Sequence, residues 1–226
     1  MPNSGGFTAV SRQEAGVLAQ NKVLKNTYML LAMTLLFSGA TAGVSMAMNL
    51  PHPGMILTLV GYFGLLFLTN ALRNSAWGIL AVFALTGFMG MTLGPILSTY
   101  ISAFANGTEL VMTAFTGTGA IFLGLSAYAV TTKKDFSFLG GFIMVGVLVA
   151  FLAGLGAAIF SIPALSLAVS AAFVLLMSAL ILWETSNIIH GGETNYIMAT
   201  VSLYVAIFNL FVSLLQLLAA FAGQER

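Results

Sequence analysis

The feature that most constrains this chain is a series of continuous apolar runs, each about 20 residues long, separated by short polar breaks. Wound as a helix, a run of that length crosses the hydrocarbon of a bilayer. A barrel strand would instead alternate apolar and polar residues. In lipid each backbone N–H and C=O must find a partner within the chain, and a helix supplies one locally. Only 6% of the residues are charged, against about 25% in a soluble domain, so the chain cannot cover a water-facing surface. The expected fold class is an all-α integral membrane protein, a seven-transmembrane-helix bundle.

The runs place the helices at about 27–48, 54–72, 76–97, 109–130, 136–160, 164–189 and 195–222. Residues 1–26 form a polar tail, expected to be mostly disordered with an interfacial helical turn from Glu14 to Lys25, and residues 223–226 form a short second tail. The first run exceeds the roughly 7–15 residue core of a cleaved signal peptide and reads as a retained helix. Pro51 and Pro53 close the first hairpin, because proline cannot continue a helix. Pro95 is expected to kink or end the third helix ahead of a longer polar loop from Ser98 to Thr108. Gly90 and Gly94 share a helix face and read as close packing within the bundle, with dimerisation as the alternative. In the turn His190-Gly191-Gly192-Glu193-Thr194, the glycines suit a helix C-terminal cap.

Lys and Arg set the orientation. Six of the seven fall in the N-terminal tail and the 2–3 and 4–5 turns, leaving Arg226 on the other side. This places the N-terminus and the 2–3, 4–5 and 6–7 turns in the cytoplasm and the C-terminus in the periplasm. Fully extended, a 26-residue tail reaches roughly 90 Å at ~3.5 Å per residue. The net charge of +1 offers no surface for nucleic acid, so the bilayer is the expected environment. With no cysteine there are no disulfides, thiol nucleophiles or thiolate metal sites.

Glu184 is the acid of greatest interest, because a charge at membrane depth costs a few kcal/mol, roughly 2.5–3.5 at a helix centre. Two readings stand side by side. One is a proton- or cation-responsive group facing the bundle interior. The other is a carboxylate that snorkels to the interface or pairs with a cation such as Arg73. His190 and Glu193 flank a glycine pair, but two ligands on a turn make a poor metal site, and His52 lies at the opposite face. No metal is expected. There is no HExxH helix and no P-loop, and Ser126 misses the GxSxG elbow. The sole aspartate, Asp135, lies in a turn. No enzyme is expected. Thr200, Ser202, Tyr204, Asn209, Ser213 and Gln216 make the last helix the most polar, which suits a central position satisfied by interhelical hydrogen bonds.

The stretch from Glu184 to Ile197, with Ala199 to Val205 and Asn209, resembles the signature of the Bax-inhibitor family. Val23–Tyr28, Leu50–Gly54, Ile56–Gly61, Gly94–Leu97 and Thr131–Gly141 agree, so the resemblance covers nearly the whole chain. It implies a seven-helix fold with a central last helix in the bacterial inner membrane. For the bacterial branch it also implies association with the AAA+ membrane protease FtsH and HflK/HflC-like proteins, restraining degradation of membrane substrates. The cytoplasmic tail suits presentation to an ATPase pore, the bundle behind it acting as a slow substrate. Other members resemble pH-sensitive calcium leak channels, with an acid on helix 6, an aspartate on helix 7 and an arginine latch on helix 2. Glu184 matches the first acid, but Ala206 stands where the second is expected, and Met198 stands where relatives are basic. The resemblance thus gives Glu184, Arg73 and Asn209 as candidate pH- or cation-sensing residues. His190, Gly191, Gly192 and Glu193 are the candidate cytoplasmic-turn contacts. No cofactor is expected; Ca2+ is the ion of the alternative reading.

Overall fold

The computed structural model describes the backbone of residues 5–224 and the side chains of residues 18–223. The ends of both expected tails, residues 1–4 and 225–226, lie outside the described residues. Seven helices follow one another: α1 (Gly5–Ala47), α2 (Met55–Leu72), α3 (Trp77–Ala103), α4 (Gly107–Thr132), α5 (Leu139–Ile159), α6 (Pro163–Ile189) and α7 (Tyr196–Gln224). All seven are long and apolar enough to cross a membrane, α1 doing so over Leu18–Ala47.

Helix ends follow local chemistry. Asn49 and Ser161 take the left-handed conformation (φ 50° and 52°) just after α1 and α5. In each case the next amide reaches back five residues, Leu50 N–H to Ser45 O and Ile162 N–H to Ala157 O, both at 3.0 Å. This is the Schellman closure, which satisfies carbonyls a helix end would otherwise orphan. Gly191 (φ 77°) ends α6 in the same way, with the Gly192 amide on Asn187 O at 2.9 Å. Here glycine is the residue that enters the left-handed region at no steric cost.

Three boundaries differ from the sequence expectation. The segment expected as a mostly disordered tail is helical from Gly5, in one continuous helix with the apolar run. Polar, helix-compatible residues such as Gln13, Glu14, Gln20 and Lys22 extend a helix already nucleated in the bilayer. The α5 helix starts at Leu139 rather than Phe136, because the Phe136 amide donates to Ser186 Oγ (3.1 Å) and the Ser137 amide to Asp135 Oδ1 (2.8 Å). Third, α3 runs through Pro95 to Ala103, and the expected loop shrinks to Phe104–Asn106. Proline lacks the amide that would bond Met91 O. Ser45 on α1 replaces it, donating from Oγ to Met91 O at 2.8 Å.

The same α1–α3 contact explains the glycine pair. A Cβ on Gly90 would run into the Ser38 carbonyl and Thr41 Oγ1, and one on Gly94 would lie 2.6 Å from Ser45 Cβ. The two glycines bring α3 onto α1 within the chain, as expected. Helix α7 packs on α1, α3, α4 and α6, while α2 rests on α3 and α5 on α6. Leu31, Val82, Leu85, Met177, Ile181, Leu203 and Leu210 fill the main core, and Ala114, Phe211, Leu215 and Ala219 a second one further along α7. Gln216 ties α7 to α6 there, donating to Ser166 Oγ (2.6 Å) and accepting from Ser170 Oγ (2.7 Å). The outer faces carry large apolar side chains such as Ile56, Phe67, Phe142, Met144 and Leu175, which suit contact with lipid tails.

The Ser45→Ala substitution leaves Met91 O without a donor and is expected to destabilise the bundle by about 1 kcal/mol in reversible unfolding in detergent. Adding Pro95→Ala restores the missing amide, so the double variant should recover most of that loss. Gly90→Val should cost more, about 1–3 kcal/mol, because backbone rather than a mobile side chain blocks its Cβ.

Candidate functional site

The α2–α3, α4–α5 and α6–α7 turns meet at one end of the bundle, and the last turns of α6 and first turns of α7 lie beneath them. Glu184 sits in α6 five residues before its end at Ile189. It is 4% exposed, so the side chain is buried in the bundle rather than snorkelling to its surface. Its hydrogen-bond partner is Ser202 on the second turn of α7, whose Oγ donates to Oε2 at 3.0 Å.

A ladder of buried hydroxyls continues from this pair. Tyr28 on α1 meets Thr185 at 3.1 Å through their hydroxyls. Thr200 Oγ1 donates to Tyr196 O (2.7 Å) and approaches Thr27 O across the α1 interface (3.3 Å). Deeper in, the Tyr204 hydroxyl meets Ser38 Oγ at 2.6 Å and Thr86 O at 3.3 Å, joining α7 to α1 and α3. Thr27 Oγ1 and Ser126 Oγ are buried with no hydrogen-bond partner among the described residues. Buried polar groups hold helices in register where hydrophobic packing alone does not distinguish neighbours.

Above this layer, side chains bolt the three turns together. Asn195 caps α7, with Oδ1 accepting the amides of Ile197 (3.0 Å) and Met198 (3.2 Å). Its Nδ2 donates to Arg73 O (2.9 Å) and Asn74 Oδ1 (3.0 Å), fastening the α6–α7 turn to the α2–α3 turn. Glu193 Oε1 accepts the Asn195 amide at 2.6 Å, which fixes the capping residue. On the other side Ser186 Oγ accepts from the Phe136 amide and donates to Lys134 O, both at 3.1 Å. The His190 ring lies between Ser186 O (Nδ1, 2.8 Å) and Lys133 O (Nε2, 3.1 Å). Asp135, fully exposed in the α4–α5 turn, is held below the usual carboxylate range by hydrogen bonds from the Ser137 amide and side chain, with the nearby His190 adding a smaller pull. Its contribution to stability is therefore present above the ordinary aspartate pKa, about 3.9, and lost as pH falls below it.

The residues singled out from sequence fall into two groups. Buried Glu184 is paired with half-buried Ser202, and His190, Gly191 and Glu193 all shape the turn cluster, Gly191 packing beneath Gln20 of α1. Gly192 is exposed, its amide spent on the α6 cap. Arg73 is also exposed; its guanidinium turns to Asn70 Oδ1 at 3.4 Å, while its carbonyl serves Asn195. Asn209 is half-buried and donates back to Val205 O on its own helix at 2.9 Å. Ala206 is fully buried, so where a second carboxylate was expected there is a methyl group against the core. Among the described residues no three His, Cys, Asp or Glu side chains converge to hold a metal. Sequence reasoning passed over Ser186 and Asn195. Asn195 carried a legible signal, a capping residue directly before an apolar run. Ser186 carried none, because its partners lie some fifty residues away in the chain.

Residues 20–223 match the model of the family described as inhibitor of apoptosis-promoting Bax1. The Escherichia coli K12 protein named modulator of FtsH protease YccA is 54% identical over 216 residues, covering 95% of this chain and 97% of that protein. A protein of another Escherichia coli strain, named inner membrane protein YccA, is also 54% identical over 216 residues, with the same coverage. An uncharacterized protein of Pseudomonas aeruginosa is 57% identical over 203 residues, covering 90% of this chain and 91% of its own. With its seven helices of spanning length, the chain is a multi-pass protein of the bacterial inner membrane. The chain belongs to the family of inhibitors of apoptosis-promoting Bax1.

Proposed function

We propose that this chain is a non-catalytic regulator that binds an FtsH-type AAA+ protease in the inner membrane and restrains it. The observation that carries this reading is the 54% identity, over 95% of the chain, to a protein named as a modulator of that protease. The charge bias supports a cytoplasmic N-terminus and a periplasmic C-terminus, because Lys and Arg favour the cytoplasmic side. In that orientation α1 projects beyond the membrane toward the ATPase. Its segment from Gly5 to Val17 is about 20 Å of helix at 1.5 Å per residue. An ATPase that captures this end must unwind it and then extract a bundle in which α7, as the central helix, holds α1, α3, α4 and α6 together. Slow extraction occupies the protease, and HflK/HflC-like proteins are the expected companions of such a complex.

Tagged protein purified from native membranes in mild detergent should bring down an FtsH-type protease in stoichiometric amount, as read by mass spectrometry. Recovery of the chain alone would count against the regulator. Removing residues 3–20 should abolish its turnover by the protease, and a pulse-chase half-life equal to the parent's would overturn the slow-substrate mechanism.

A second reading, a cation leak, is favoured by one observation. Glu184 is a buried carboxylate held by a serine hydroxyl, with no cationic hydrogen-bond partner among the described residues. Ala206 weighs against it, because a methyl group neither shares a proton nor ligates Ca2+. In liposomes loaded with a calcium dye the parent should show background flux at both acid and neutral pH. Flux that changes with pH and disappears in Glu184→Gln would instead establish the leak.

A further inference from the structure

The His190 ring makes a pair of contacts that one protonation state alone completes. Both ring nitrogens face backbone carbonyl oxygens, Nδ1 that of Ser186 at 2.8 Å and Nε2 that of Lys133 at 3.1 Å. A carbonyl oxygen only accepts, so each contact needs an N–H on the ring, and only the imidazolium carries two. Neither neutral tautomer keeps the arrangement. With hydrogen on Nδ1 alone, the Nε2 lone pair faces Lys133 O. With hydrogen on Nε2 alone, the Nδ1 lone pair faces Ser186 O. The Ser186 hydroxyl, 3.3 Å from Nδ1, relieves that clash only by withdrawing its hydrogen from Lys134 O. Either way the α4–α5 turn loses one of its ties to α6.

Dipoles and charges surround the ring. Ser186 O belongs to the last turn of α6, and Lys133 is the residue that caps α4. Two helix C-termini, each carrying partial negative charge, therefore converge on one ring. From the α4–α5 turn Asp135 adds an attractive charge, while Lys133 and Lys134 oppose it. Glu193 belongs to the ring's own turn and Glu184 lies deeper on α6, both acidic; Lys22 and Lys25 lie on α1. Histidine is the side chain whose charge changes between about pH 5 and 8.

We propose that His190 is a proton-operated clasp, whose imidazolium holds the α4–α5 turn, and with it the leading end of α5, against the end of α6. The consequence reaches α5 because α5 packs chiefly on α6, and the clasp with Ser186 anchors the end where α5 begins. Loss of the proton frees Lys133 O or Lys134 O and lets the start of α5 move away. The clasp depends on neither reading of function given above, and it uses no second carboxylate.

The chain has no cysteine, so spin labels on Phe138→Cys and Thr194→Cys, both exposed positions, are unambiguous. In the full-length protein in lipid nanodiscs, electron–electron distance measurements should give one short population near about pH 5.5 and a growing longer one near about pH 8.5. His190→Gln, which supplies one N–H donor group and does not titrate, should show the longer population at both pH values. In parallel, ring nitrogen NMR of the unlabelled parent should show both His190 nitrogens protonated at the acid end. An unchanged distance distribution in the labelled protein that keeps His190, the same pH response when His190→Gln is added, or a ring with one bare nitrogen throughout would each overturn the proposal. Because the NMR measurement needs no substitution at His190, it decides the matter even if the variant misfolds.

Discussion

In hydrocarbon no water is present to bond a stray backbone group, and the whole architecture answers to that constraint. Its clearest expression is the bond from Ser45 Oγ to Met91 O. Pro95 removes an amide from the middle of a spanning helix, and a neighbouring helix supplies a hydroxyl in its place. For the hydroxyl to arrive, α1 must lie close against α3, and Gly90 and Gly94 make that approach sterically free. The proline, the glycines and the serine thus form one device, and α3 stays continuous to Ala103 because of it. The short α3–α4 connection follows directly, since a helix that does not stop at Pro95 leaves no long loop behind it.

The same constraint shapes the contacts that α7 makes. Apolar packing between helices gains little over packing against lipid tails, so specificity falls to small residues and hydrogen bonds. Tyr204 meets Ser38 and Thr86 O, Thr200 meets Thr27 O, and Ser202 meets Glu184. Each bond joins α7 to a different stretch of chain. Glu184 belongs to this ladder and is also its exception, the one carboxylate among hydroxyls. It is the residue on which the regulator and leak readings diverge.

Where the chain leaves the membrane, the logic changes from burial to stapling. Asn195 holds the α2–α3 turn, Ser186 and His190 hold the α4–α5 turn, and Gly191 sets the path between them. The His190-Gly191-Gly192-Glu193 stretch therefore acts as the fastening for one whole end of the bundle, and α1, which extends past it from Gly5, packs on it through Gln20.

Sequence by itself determined the number of helices, the all-α class and the membrane setting, because the length and apolarity of each run answer to the bilayer alone. It also singled out Glu184, Gly90 and Gly94, the glycine cap of α6 and the polarity of α7, all of which are local signals. Only the tertiary structure decided which helix each polar group meets. In lipid the inward and outward faces of a helix are about equally apolar, so hydrophobic periodicity does not reveal which side faces the core. The partners that matter lie far apart in the chain, as Ser38 does from Tyr204 and Lys133 from His190, and no spacing rule connects them. Continuity through Pro95 and the helical start of α1 were decided in the same way, by a donor on a neighbouring helix and by a nucleus already folded in the membrane.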